Sequence, residues 1–136
     1  MKARILIVDD EDAIRSTLRM IFEYEGYEVL LAANGPAGLK IAESGDPDLI
    51  FLDIKMPPHM DGLEVLKQIK LVRPDVPVVI LSGHGTVKTA VEATKLGAYD
   101  FIEKPPESER MLLVARNALQ QKRLGDENKR LRLSFD

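Results

Sequence analysis

Cysteine is absent from the chain, so neither a disulfide nor a thiolate metal site is available, and a reducing cytoplasm is the expected compartment. Long apolar runs are absent as well. None approaches the ~18 residues of a membrane span. Asp9 follows Met1-Lys2-Ala3-Arg4 too closely for a secretory signal peptide, which predicts a soluble, unprocessed protein with no membrane contact. Clustered positive charge is a third absence. The net charge is -3 and the Lys and Arg residues are scattered, whereas gripping phosphates requires a basic face. The segment is therefore not expected to bind nucleic acid directly. Internal repeats and low-complexity stretches are missing too, and no Gly/Ser/Thr-rich loop follows the first apolar run to cradle a flavin phosphate.

What the chain does have is short apolar runs alternating with amphipathic stretches, in 136 residues of which 45% are hydrophobic. That suits one domain burying roughly two-thirds of its unfolded surface. Strands are predicted at Arg4–Val8, Glu28–Ala32, Leu49–Leu52, Val78–Leu81 and Tyr99–Glu103. Helices are predicted from about Glu11 to Tyr24, Pro36 to Ser44, Leu63 to Lys70 and Val87 to Leu96, with a last one from near Glu107. Asn34-Gly35 reads as a turn, and Gly26 and Gly97 as helix stops. Near-continuous apolar strands buried on both faces, with right-handed crossovers, narrow the fold to an α/β, doubly wound, five-stranded parallel sheet.

The strands end on reactive side chains. The first delivers Asp9-Asp10-Glu11, the third Asp53, the fourth Ser82 and the fifth Lys104-Pro105. In doubly wound sheets the ligand crevice lies outside the carboxyl ends of the strands. Three carboxylates brought together there repel one another and recruit a cation, and an oxygen-only ligand set favours Mg²⁺, with Mn²⁺ the alternative. Mg²⁺ is commonly completed by a phosphate oxygen, so phosphoryl chemistry is the expected use, with Asp53 as nucleophile and Lys104 and Ser82 neutralising the phosphoryl oxygens.

These residues carry a resemblance. Asp9-Asp10, Asp53-Ile54-Lys55-Met56-Pro57, Ser82-Gly83 and Lys104-Pro105, in this order and spacing, resemble the receiver domain of two-component response regulators over about Lys2 to Leu119. The resemblance implies a flavodoxin-like, CheY-like sheet of order 2-1-3-4-5 and a phosphorylation switch driven by a sensor histidine kinase. By the same resemblance Asp53 is the phosphoacceptor. Asp10, Asp53 and the backbone carbonyl of Lys55 are metal ligands, and Asp9 acts through a metal-bound water. Lys104 pairs with the phosphoryl group, Ser82 swings to bond it, Phe101 is an aromatic switch residue, and the bond before Pro105 is cis. A switch of this kind must shift its population by about 5.5 kcal/mol to go from 1:99 to its reverse.

A finer likeness lies in Ser82-Gly83-His84-Gly85, the stretch Gly97 to Pro105, and Asp126-Glu127-Asn128, which resemble NtrX/NtrC-type regulators of sigma-54-dependent promoters. It implies a receiver at 1–120 and a helical linker at 121–136 leading toward ATPase and DNA-binding output domains that this segment does not include. Two departures stand out. The stretch Met56 to Gly62 is one residue longer than the usual loop, and Pro106 replaces the commoner aromatic or hydrophobic residue.

Each feature also has a plainer reading. Asp9-Asp10 alone would be a helix N-cap, Ser82 a turn hydroxyl, Phe101 ordinary core, and His59 and His84 solvated loop residues. Their joint placement is what points to a site. Leu124, Asn128 and Leu131 form a short seam that would support a homodimer through a coiled coil, or else an exposed linker, and Gly125 weakens the helix there. The alternatives to a signalling receiver with an output domain are a stand-alone receiver or relay intermediate, an aspartyl-phosphate hydrolase, and an interaction module with a vestigial site. Asp9-Asp10-Glu11-Asp12 does not place the Asp-x-Asp nucleophile loop that the hydrolase needs, so a phosphoacceptor rather than a turnover enzyme is expected.

Overall fold

In a computed structural model the protein is described at residues 2–54, 62–83 and 87–135. Five parallel strands, β1 (Arg4–Val8), β2 (Glu28–Ala32), β3 (Leu49–Asp53), β4 (Val78–Ser82) and β5 (Asp100–Glu103), form one sheet in the order β2-β1-β3-β4-β5. The expected topology is thus the one observed. The helices between and after them are α1 (Asp12–Tyr24), α2 (Gly35–Ser44), α3 (Gly62–Val72), α4 (Val87–Lys95) and α5 (Ser108–Phe135).

The strands alternate between two cores because successive side chains point to opposite faces. Leu6, Val8, Ile50, Leu52, Val78 and Ile80 pack under α2, α3 and α4, around Ala42, Val65, Leu66, Ile69 and Ala93. Ile5, Ile7, Leu49, Phe51, Val79, Leu81 and Ile102 pack under α1 and α5, around Leu18, Phe22, Met111, Val114, Ala115 and Ala118. β3 and β4 are buried along their whole length, which explains why they read as unbroken apolar runs. Phe22 of α1 stacks on Phe51 of β3 with ring centroids 5.2 Å apart. Burying one such side chain contributes about 1.5–3 kcal/mol, so α1 is held by its apolar face rather than by its end, where Glu11 makes no side-chain cap.

The structure amends several boundaries. Asn34 is not part of a free turn. Its Oδ1 accepts from the Ala37 N–H at 2.8 Å, making it the N-cap of α2, which begins at Gly35. α3 starts at Gly62 and continues past Lys70 to Val72. α4 stops at Lys95, and Gly97 takes the left-handed conformation (φ 102°) that turns the chain into β5, so Tyr99 precedes the strand instead of starting it. The largest change is at the carboxyl end. α5 runs through Gly125 without interruption for 28 residues. A glycine costs a helix only about 1 kcal/mol. Contacts of Lys122 with Asp126 at 3.0 Å and Asp48 at 3.9 Å tie the same turn of helix to the foot of β3.

Candidate functional site

Parallel β1 and β3 are neighbours while their crossovers leave in opposite directions, so a crevice opens between their carboxyl ends. Asp9 follows β1 and Asp53 ends β3. Continued alternation puts both on the α1/α5 face with Ile7 and Phe51, and Lys104, two residues beyond Ile102, arrives from β5 on the same side. The Lys104 Nζ lies 2.8 Å from Asp9 Oδ2 and 3.2 Å from Asp53 Oδ2. One ammonium thus bridges two carboxylates that are almost entirely buried, with side chains 0% and 5% exposed.

Burial pulls the pKa of Lys104 down, but the adjoining Asp9 and then Asp53 carboxylates outweigh it and hold the ammonium above the ordinary lysine value. Lys104 is therefore fully charged at neutral pH. The other oxygen of Asp9, Oδ1, accepts from the Glu11 N–H at 2.9 Å, so both Asp9 oxygens are engaged by the protein. Asp10 is exposed instead. Carboxylate oxygens of Asp9, Asp10 and Asp53 nevertheless all lie within 4.8 Å of one another, an oxygen-only set of the kind a hard divalent cation takes.

Ser82 is wholly buried, and its Oγ has no hydrogen-bond partner among the described residues. An unsatisfied buried hydroxyl costs about 1–3 kcal/mol. Alternation with Val78 and Ile80 places Ser82 on the α2–α4 face, where Phe101, half-buried and paired in register with Ile80, packs against the same core. The Lys104 N–H donates to the Ser82 carbonyl at 2.7 Å, joining the two faces through one backbone bond. The Lys104–Pro105 peptide is cis.

Two contributors to this geometry carried no sequence signal strong enough to single them out. Gly62 donates its N–H to the Ile54 carbonyl at 2.8 Å, and a Cβ there would lie 2.5 Å from the Asp53 carbonyl oxygen. Only glycine lets α3 start directly against the strand end that carries Asp53. Its position after Asp61 was the available hint. Arg15, one turn into α1, donates from Nη1 to the Asp9 carbonyl at 2.7 Å. Lys55, Met56, Pro57, His59 and His84 lie outside the described residues. An open groove of about 1350 Å³, lined by Arg4, Tyr27, Asp48, Leu119 and Lys122 among others, lies at the opposite pole, beneath the amino ends of the strands.

A doubly wound sheet with lysine-bridged carboxylates at its switch point is the receiver arrangement, and residues 5–116 match the family model described as response regulator receiver domain. The chain belongs to that family. The nitrogen assimilation regulatory protein NtrX of Azorhizobium caulinodans is 46% identical over 129 residues, which cover 94% of this chain and 28% of that protein. The crystal structure of NtrX from Brucella abortus superposes with a TM-score of 0.90 at 44% identity, covering 96% of this chain and 30% of that one. A CheY-like receiver domain protein from Methanospirillum hungatei aligns over 92% of this chain and 99% of its own with a TM-score of 0.88 at 33% identity. The chain therefore has the length of a receiver and spans under a third of the NtrX proteins it matches.

Proposed function

We propose that this receiver is a phosphorylation-dependent switch that takes a phosphoryl group from a sensor histidine kinase onto Asp53. The observation that carries the reading is the buried lysine bridge, with Lys104 Nζ 3.2 Å from Asp53 Oδ2 beside a third carboxylate. A carboxylate oxygen of Asp53 attacks phosphorus, the bond from phosphorus to the kinase imidazole nitrogen breaks, and the electron pair leaves with that nitrogen. Lys104 transfers its attraction from the Asp53 carboxylate to an equatorial phosphoryl oxygen. The Ser82 hydroxyl, unpartnered among the described residues, donates to another.

The acidic set fits Mg²⁺, or Mn²⁺ in its place. Asp10 and Asp53, with the carbonyl of Lys55, would hold the ion, and Asp9, whose oxygens are already occupied, would act through its water. When bound, the ion supplies charge neutralisation for the transferring group. Drawing Ser82 toward the phosphoryl group empties space on the α2–α4 face into which Phe101 turns, so the surface of α4 and β5 changes. The domain stores a state and does not turn over substrate.

In this reading residues 1–120 are the receiver, and 121–136 carry the signal along a helix toward output domains, an ATPase and a DNA-binding module that regulates sigma-54-dependent transcription in the cytoplasm. No described helix is long and apolar enough to cross a membrane. The test is incubation with acetyl phosphate, with and without Mg²⁺, followed by intact mass. One metal-dependent, base-labile phosphoryl adduct on the wild type, missing from Asp53→Asn, is expected. Equal labelling of both proteins would refute the assignment.

A further inference from the structure

We propose that Arg15 is a positioning residue that fixes the acidic turn from Asp9 to Asp12 in the geometry needed to bind a divalent cation. The inference rests on the reading of Asp9, Asp10 and Asp53 as a Mg²⁺ site. Arg15 lies one turn into α1, its side chain only 16% exposed, and it spans the turn from below. Nη1 donates to the backbone carbonyl of Asp9 at 2.7 Å, while Nη2 pairs with the carboxylate of Asp12. The Glu11 N–H closes the turn from the other side by donating to Asp9 Oδ1 at 2.9 Å, and Asp9 itself is hung from the Ala32 carbonyl by its N–H at 3.1 Å.

Among the described residues Asp10 has no comparable tether. It is exposed, so the forked contact of Arg15 with residues 9 and 12 acts on it by fixing the backbone turn from which its carboxylate projects. Groups that orient a metal ligand without touching the metal typically contribute 10–100-fold to affinity. Charge alone would act in the opposite direction. A cation beside three carboxylates repels Mg²⁺, so removing it on electrostatic grounds tightens binding, whereas removing a positioning residue weakens it. The sign of the effect decides between them.

The experiment is calorimetric titration of MgCl₂ into the full chain for the wild type and for Arg15→Ala, Arg15→Lys and Asp10→Asn. The absence of tryptophan makes calorimetry preferable to intrinsic fluorescence. Circular dichroism melts check folding. Arg15→Ala is expected to bind Mg²⁺ about tenfold more weakly while remaining folded. Arg15→Lys, which keeps the charge but not the fork, is expected to fall between it and the wild type. Equal or tighter binding by Arg15→Ala overturns the proposal, and if that variant fails to fold, wild-type affinity in Arg15→Lys overturns it instead. Asp10→Asn separates the two levels: if it binds Mg²⁺ like the wild type, the metal site itself is misassigned. If Asp10→Asn is weakened and the Arg15 variants are not, only the positioning role fails.

Discussion

Replacing Lys104 with methionine keeps the length of the side chain and removes the charge that bridges Asp9 and Asp53. The ammonium sits 2.8 Å from one carboxylate and 3.2 Å from the other, and both are buried. Breaking a buried pair by deleting one partner costs about 3–5 kcal/mol, because the remaining charge is left without compensation. The site opens to solvent on the side of exposed Asp10, which argues for the lower end, about 3 kcal/mol. For a chain of 136 residues, an unfolding entropy of about 2.1 cal/mol/K per residue converts this to a fall in Tm of roughly 10 °C. Differential scanning calorimetry at pH 7 without divalent ions measures it. Millimolar Mg²⁺ should stabilise the variant more than the wild type. A Lys104→Met protein melting within about 2 °C of wild type at pH 7 would refute the idea that this lysine holds the carboxylates together.

The contribution of Lys104 depends on its own charge. Because Asp9 and Asp53 raise the pKa of Lys104 against the effect of burial, its contribution is fully present below the ordinary lysine value of 10.5 and is lost as the pH climbs through the raised one. Wild-type Tm should fall more steeply than that of Lys104→Met above about pH 10.5. Gly62→Ala forces a Cβ against the Asp53 and Ile54 carbonyls, so it should cost about 1–3 kcal/mol in urea denaturation and slow acetyl-phosphate labelling of Asp53. Arg73 donates from Nε to the Ala42 carbonyl at 2.9 Å and from Nη2 to the Glu43 carbonyl at 2.6 Å, capping the end of α2 from the end of α3. Arg73→Ala should therefore lower the urea midpoint by the equivalent of about 2 kcal/mol, with an unchanged m-value.

Much of this molecule is legible in its sequence because the central strands have no solvent face. Leu49 to Leu52 and Val78 to Leu81 are apolar at every position, and that pattern fits a parallel sheet covered on both sides. The polar residue that breaks each run then marks the rim, which is how Asp9, Asp53, Ser82 and Lys104 come into view together. Boundaries were less legible where a side chain acts at a distance. Asn34 before Gly35-Pro36 fits a turn and a helix N-cap equally well in one dimension, and Gly125 reads as a helix breaker because the ties of Lys122 to Asp48 and Asp126 on the same turn are invisible until the sheet is folded. Arg15 and Gly62 escaped notice for the same reason. One acts through a backbone carbonyl and the other through the absence of an atom, and neither leaves a spacing pattern.

Strand alternation also divides the site in a way that a roster of residues does not convey. Asp9, Asp53 and Lys104 belong to the α1/α5 side, where the ions pair, while Ser82 and Phe101 belong to the α2–α4 side, where one hydroxyl is unpartnered among the described residues and one ring is half-buried. The two sides meet where the Lys104 N–H donates to the Ser82 carbonyl. Phe101 is in turn the register partner of Ile80, two residues before Ser82 on β4. The pleat of the sheet puts Asp9, Asp53 and Lys104 on one face and Ser82 and Phe101 on the other, and the hydrogen bond from the residue after β5 to the end of β4 ties the carriers of both sets together.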